Sequence, residues 1–142
     1  GIPLTHRDHA QSVRFVTGHL KNGSCDLDWA TLAHPGQTLV FYMGLGSLEI
    51  IREALMAHGL DAETPLALIE QGTTARQRVH VGSLAQLPDA FHGDTIKPPT
   101  LIVVGSVVRL HQTLAWFDGE RSASRGWEDG KHPTPLKASD SA

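Results

Sequence analysis

The stretch from Thr38 to Glu70 constrains the fold more than any other part of the chain. Thr38-Leu-Val-Phe-Tyr-Met43 is a run of β-branched and aromatic residues that suits a buried strand. Ser47 then stands where a helix would be capped, and Leu48, Ile51 and Leu55 recur at helical spacing through Ala57. Gly59 provides the left-handed stop that ends many helices. Pro65–Glu70 (PLALIE) reads as the next strand. Strand, helix and strand over this length suit a parallel crossover. An α/β fold follows.

The flanking segments extend that pattern. Arg76–Val81 alternates sides like a strand, and a short helix is expected near Ser83–Phe91. Leu101–Val104 is a further buried strand, and Val107–Leu114 reads as a terminal helix. The first segment is ambiguous. Val13, Val16, Thr17 and Leu20 fit a helix, while Arg14–Thr17 also fits a strand, and periodicity does not decide between them.

Two compositional regimes divide the chain. Residues 1–117 carry all the apolar periodicity, whereas 118–142 is rich in Ser, Gly, Pro and charge. That tail, solitary Trp127 included, is expected to be disordered or loosely attached. The 142 residues suffice for one domain with a sizeable core. A net charge of −3 argues against a general nucleic-acid binder, whose footprint would be basic. There is no apolar run long enough for a membrane helix and no signal-peptide pattern. Cys25 is the only cysteine, so an internal disulfide and a cysteine-rich zinc site are excluded, and a cytoplasmic setting fits.

Several residues invite a functional reading, each beside a plainer one. Met43 and Gly44 close a strand before a helix, where open α/β sheets collect ligands. Taken alone, Met43 reads better as a filler of a core gap. Gly72 follows the second strand, where glycine permits close approach of a ligand or forms a tight turn. Gly44-Leu-Gly46 is half of a phosphate loop, lacking its lysine and third glycine, and reads as a turn. Arg7 offers a planar fork for a carboxylate, or is a solvated surface arginine; Arg14 and Arg76 are weaker candidates. Nine histidines raise the question of a metal, but no HExxH spacing appears, and scattered surface histidines explain them better. His19 is the histidine to watch near a cleft. No GxSxG elbow supports a serine hydrolase.

Four segments carry a resemblance. GIPLTHRDHAQSVRFVTGH (Gly1–His19), TLVFYMG (Thr38–Gly44), EQGTTARQR (Glu70–Arg78) and PTLIVVGSVVRL (Pro99–Leu110) run in order along the chain. Together they resemble the C-terminal lobe of the uroporphyrinogen-III C-methyltransferases, tetrapyrrole methylases that include the methylase half of siroheme synthases. The resemblance implies a strand at Ser12–Thr17, and with it an α/β lobe around a mixed sheet of about five strands. It implies S-adenosylmethionine as cofactor, S-adenosylhomocysteine as product and no metal. The reaction implied is methylation of uroporphyrinogen III to precorrin-2 on the siroheme and cobalamin branch. By position, Met43 and Gly72 would contact the cofactor and Arg7 the tetrapyrrole.

The family's glycine-rich GPG loop, GGD-type segment and principal catalytic groups lie on its N-terminal lobe. None is found here, so no catalytic acid or base is assigned to this chain. The chain opens inside a family motif, so a preceding lobe is expected to be missing, and the isolated chain is expected to be inactive. The expected partners are that lobe, the tetrapyrrole and a second copy in a homodimer, without nucleic acid or membrane. The alternatives are a non-catalytic dimerisation or scaffold lobe, and a similar lobe acting on another substrate.

Overall fold

The computed structural model describes residues 1–19, 27–92 and 95–117. Cys25, Leu20, Trp127 and the whole of the polar 118–142 segment lie outside the described residues. Five strands form one sheet: β1 (Ser12–Thr17), β2 (Gln37–Tyr42), β3 (Pro65–Glu70), β4 (Arg78–Ser83) and β5 (Thr100–Val104). Their spatial order is β1-β2-β5-β3-β4. β1 runs parallel to β2, and every other pairing is antiparallel. The sheet is therefore mixed and five-stranded, as expected, and the ambiguous first segment is a strand.

β2 and β3 point the same way but do not touch. β5 is inserted between them, antiparallel to both, with Val103 opposite Val40 on one side and Ala67 on the other. The crossover between them passes through helix α2 (Leu48–Ala57), and three shorter helices are α1 (Trp29–Leu32), α3 (Asp89–His92) and α4 (His111–Leu114).

Alternation along the strands builds two apolar faces. Leu39, Phe41, Leu66, Leu68, Ile102 and Val104 meet Leu48, Ile51 and Leu55 of α2 in the larger core. Leu48, Ile51 and Leu55 lie on the single buried stripe that their spacing predicts. The opposite face gathers Val40, Ala67 and Val103 under Val108, with Ile2 and Val13 at its margin. Fully burying each such side chain contributes roughly 1.5–3 kcal/mol.

The local departures from expectation have identifiable causes. Ser47 occupies the N-cap position of α2, but its side chain makes no capping bond. Its N–H instead donates to the Gly44 carbonyl and closes a 3₁₀ turn over Leu45–Ser47. β4 begins two residues later than Arg76, because Thr74 holds the preceding turn by accepting from the Arg76 and Gln77 N–H groups. The helix expected from Ser83 shrinks to α3. Ser83 and Gln86 close a tight turn there, and Pro88 biases Leu87 away from helical angles. The terminal helix divides into a 3₁₀ segment, Ser106–Leu110, and α4. α1 was not anticipated; Asp28 caps it by accepting from the Thr31 N–H at 3.2 Å.

Candidate functional site

The carboxyl ends of β2 and β3 and the amino end of β5 open onto one cleft of about 1070 Å³. Tyr42, Met43, Leu45 and Gly46 line it from β2, and Ile69, Gly72 and Thr73 from β3. Phe91 and Ile96 join Pro98–Leu101 to complete the lining, which is largely apolar. Met43 and Gly72 thus meet around one space, separated by the width of β5, about 10 Å at two strand spacings.

Backbone strain concentrates here. Met43 (φ 53°), Gln71 (φ 46°) and Thr73 (φ 68°) are the non-glycine residues with left-handed angles among the described residues. Met43 and Thr73 line the cleft, and Gln71 directly precedes Gly72. Each such angle costs about 1–3 kcal/mol and persists only where its surroundings enforce it. At Gln71 the enforcement is visible. Its N–H donates to Pro99 O at 2.8 Å, and its carbonyl accepts from the Thr74 hydroxyl at 2.8 Å. The Thr73 N–H is held by Gln77 Oε1 at 2.8 Å. Met43 is 67% exposed, so it does not serve as a core filler.

Gly72 is informative for the opposite reason. Its own φ is not left-handed; its two neighbours supply the turn. A Cβ built on it would meet Ile69 Cγ2 at 3.4 Å and Gln77 Oε1 at 3.8 Å, ordinary contacts both. Neither the backbone nor the packing requires glycine at 72. What its missing side chain does is leave room in the cleft.

One buried charge supports the site. Glu70, 5% exposed, ends β3 beside Thr100 of β5. Its Oε1 accepts from the Lys97 N–H at 3.1 Å, and its Oε2 lies 3.3 Å from His80 Nε2. Burial opposes its ionisation. The Lys97 N–H, the His80 ring and the Arg78 charge outweigh that and hold the carboxyl below the usual carboxylate range.

Arg7 is not brought to this cleft. It is exposed in the His6–Ala10 turn, at the end of the sheet where β1 and β2 begin. A strand length, about 20 Å, lies between it and Met43. His19 and Arg76 are also exposed but follow the carboxyl ends of β1 and β3, at the end of the sheet that carries the cleft. Among the described residues, no three side chains gather as metal ligands.

Residues 1–88 match the family described as tetrapyrrole (corrin/porphyrin) methylases. The chain belongs to the tetrapyrrole methylase family. It is 60% identical over 125 residues to the siroheme synthase of Stutzerimonas stutzeri strain A1501, covering 88% of this chain and 27% of that protein. It is 63% identical over 121 residues to the siroheme synthase of Pseudomonas aeruginosa strain LESB58, covering 85% and 26%. The chain therefore spans about a quarter of the length of these relatives. The uroporphyrin-III C-methyl transferase of Thermus thermophilus, solved in complex with S-adenyl homocysteine, superposes with a TM-score of 0.62 at 31% identity, over 77% of this chain and 48% of that one.

The cleft's walls are largely apolar, a Cβ-sized space stands open at Gly72, and among the described residues no lysine lines it to neutralise a phosphate. Sequence reasoning missed Glu70 and the Ile96–Thr100 segment. The one signal was an acidic residue closing an otherwise apolar strand.

Proposed function

We propose that this chain forms the C-terminal wall of the S-adenosylmethionine cleft in a uroporphyrinogen-III C-methyltransferase, which makes precorrin-2 on the siroheme and cobalamin branch. The observation that carries the reading is the meeting of Met43 and Gly72 in one cleft, with glycine at 72 required by nothing among the described residues. S-adenosylmethionine would supply an electrophilic methyl group on a sulfonium. Met43 and the main chain at Gly72 would hold it, and Tyr42, Leu45 and Phe91 would exclude water from the reacting carbon.

The relatives are about four times as long as the matched stretch, which leaves room for a preceding lobe that would close the cleft and provide the acid–base groups. Residues 1–117 would be the lobe, in a cytoplasmic homodimeric enzyme. Arg7, exposed and without a partner among the described residues, would bind a peripheral carboxylate of the macrocycle rather than the cofactor.

Calorimetric titration with S-adenosylhomocysteine tests the cofactor site. Binding that is lost in Gly72→Val supports it, and wild-type indifference to the ligand overturns it. Incubation with uroporphyrinogen III and S-adenosylmethionine tests the division of labour. The chain alone should yield no precorrin-2, and turnover at an ordinary enzymatic rate would refute the two-lobe reading.

A second reading rests on the sheet's edge. Phe15 on the outermost strand β1 is 58% exposed and contacts Tyr42, 47% exposed, at a ring-centroid distance of 6.3 Å. An exposed aromatic pair at the margin of the sheet, one ring on the edge strand and the other on its neighbour β2, favours self-association. A tight dimer on sizing, with no S-adenosylhomocysteine bound, would make the chain a scaffold lobe instead.

A further inference from the structure

Four polar contacts converge on the segment from Lys97 to Thr100. The Lys97 N–H is held by Glu70 Oε1 at 3.1 Å, and the Lys97 carbonyl accepts from the Thr100 hydroxyl at 2.8 Å. Pro99 O accepts from the Gln71 N–H at 2.8 Å, and the backbone of Thr100 is paired with that of Glu70 in the sheet. Three of these contacts are local to the strand ends. The bond to Lys97 differs, because it runs from a charged side chain to a main-chain donor that secondary structure would leave unpaired.

The setting makes that bond consequential. Glu70 is the only ionisable side chain buried among the described residues, and burying a charge is costly unless it is paired and hydrogen-bonded. Both carboxylate oxygens are engaged, one by Lys97 and the other by His80 from β4. A carboxylate fixed at two points is a rigid acceptor, and charge-assisted bonds are about twice as strong as neutral ones. Glu70 does not line the cleft, whereas Ile96, Pro98, Pro99 and Thr100, on both sides of Lys97, do. The carboxylate therefore stands behind the wall and holds it.

We propose that Glu70 is a positioning residue: its carboxylate fixes the Ile96–Thr100 wall and so sets the affinity for the cofactor without touching it. The proposal rests on reading the cleft as the S-adenosylmethionine site. It differs from an ordinary contribution to stability, because releasing the wall would weaken the ligand more than the sheet. The side-chain amide introduced by Glu70→Gln keeps an oxygen for the Lys97 N–H, whereas Glu70→Ala leaves that donor with nothing.

The test compares wild type, Glu70→Gln and Glu70→Ala by amide hydrogen exchange and by titration with S-adenosylhomocysteine. In Glu70→Ala the Lys97 amide should exchange roughly tenfold faster or more, with the β3 amides of Leu66 and Leu68 unchanged. Affinity should fall by roughly tenfold or more, and Glu70→Gln should recover most of both losses. Should Glu70→Ala fail to fold, Glu70→Gln carries the test alone, with a loss of about threefold expected from the neutral bond. Faster Lys97 exchange with undiminished affinity would overturn the proposal while leaving the cofactor site intact. No binding by wild type would overturn the cofactor site and, with it, the role in affinity. Lys97 exchange would then still report whether the wall is tethered.

Discussion

Gly18 and Gly44 lie back to back. A Cβ on Gly18 would fall 2.8 Å from the Gly44 Cα, and one on Gly44 would fall 2.9 Å from Ile102 Cδ1. The Gly18 N–H donates to Tyr42 O at 2.7 Å, so the end of β1 is clamped to the end of β2 just before Met43 turns into its left-handed conformation. Replacing Gly18 with alanine pushes two main chains apart and should destabilise the protein by about 1–3 kcal/mol. Urea unfolding measures the loss. Because the displaced atoms adjoin Met43, S-adenosylhomocysteine affinity should fall in the same variant.

Gly72→Ala should behave in the opposite sense. Its methyl group fits among Ile69 and Gln77, and the backbone already has an acceptable angle. Stability should hold or rise by about 0.4–1 kcal/mol, from the stiffer unfolded chain. Affinity for S-adenosylhomocysteine should nevertheless drop. A thermal melt and a titration on one preparation separate the two effects; unchanged affinity would mean that the space at Gly72 serves no ligand.

Glu70 should shape the acid limb of stability. Its carboxyl titrates below the ordinary 4.5 in the folded state. Its contribution is therefore complete above the unfolded-state value and vanishes as pH falls through the lower folded-state value. Glu70→Gln should flatten the loss of stability between about pH 5 and about pH 3, and leave the slope near neutrality unchanged. Urea midpoints collected across that range decide it.

Leu55 is fully buried on α2, against the sheet. Leu55→Ala should cost about 2–5 kcal/mol, the range for a buried leucine whose cavity only partly collapses. Equilibrium denaturation measures it. A cost below about 1 kcal/mol would show that α2 is not the main cover of that face.

Arg7 stands at the other end of the sheet, so Arg7→Ala should leave S-adenosylhomocysteine affinity untouched. In a methylation-competent protein containing this lobe it should raise KM for the tetrapyrrole, as expected for a lost carboxylate contact. A weakened cofactor would contradict the placement of Arg7 far from the cleft.

Much of this arrangement is legible in the residues. β2, β3 and β5 are continuous apolar runs because both faces of the sheet are covered, and α2 declares itself by its leucine and isoleucine spacing. β1 is not self-evident: it has two partly buried valines and an exposed phenylalanine, a pattern shared with a short helix. α1, only four residues long, offers a periodicity too brief to see. Met43 and Gly72 stand out as strand-end residues, but their sharing one cleft depends on β5 being placed between them, which no local pattern encodes. Glu70 escaped notice because its decisive partner is a main-chain N–H far along the chain, and main-chain donors look alike in every sequence.

The central position of β5 also governs the order in which the molecule can be assembled. Of the five strands it is the last to be synthesised, yet β2 and β3 touch each other only through it. Until Thr100–Val104 is available, the growing chain holds two separate strand pairs, each presenting an unsatisfied apolar edge. Nascent chains arrested ahead of Thr100 should accordingly be the species that aggregates or recruits chaperones, and the cleft should come into being in one step, when those two edges are closed together.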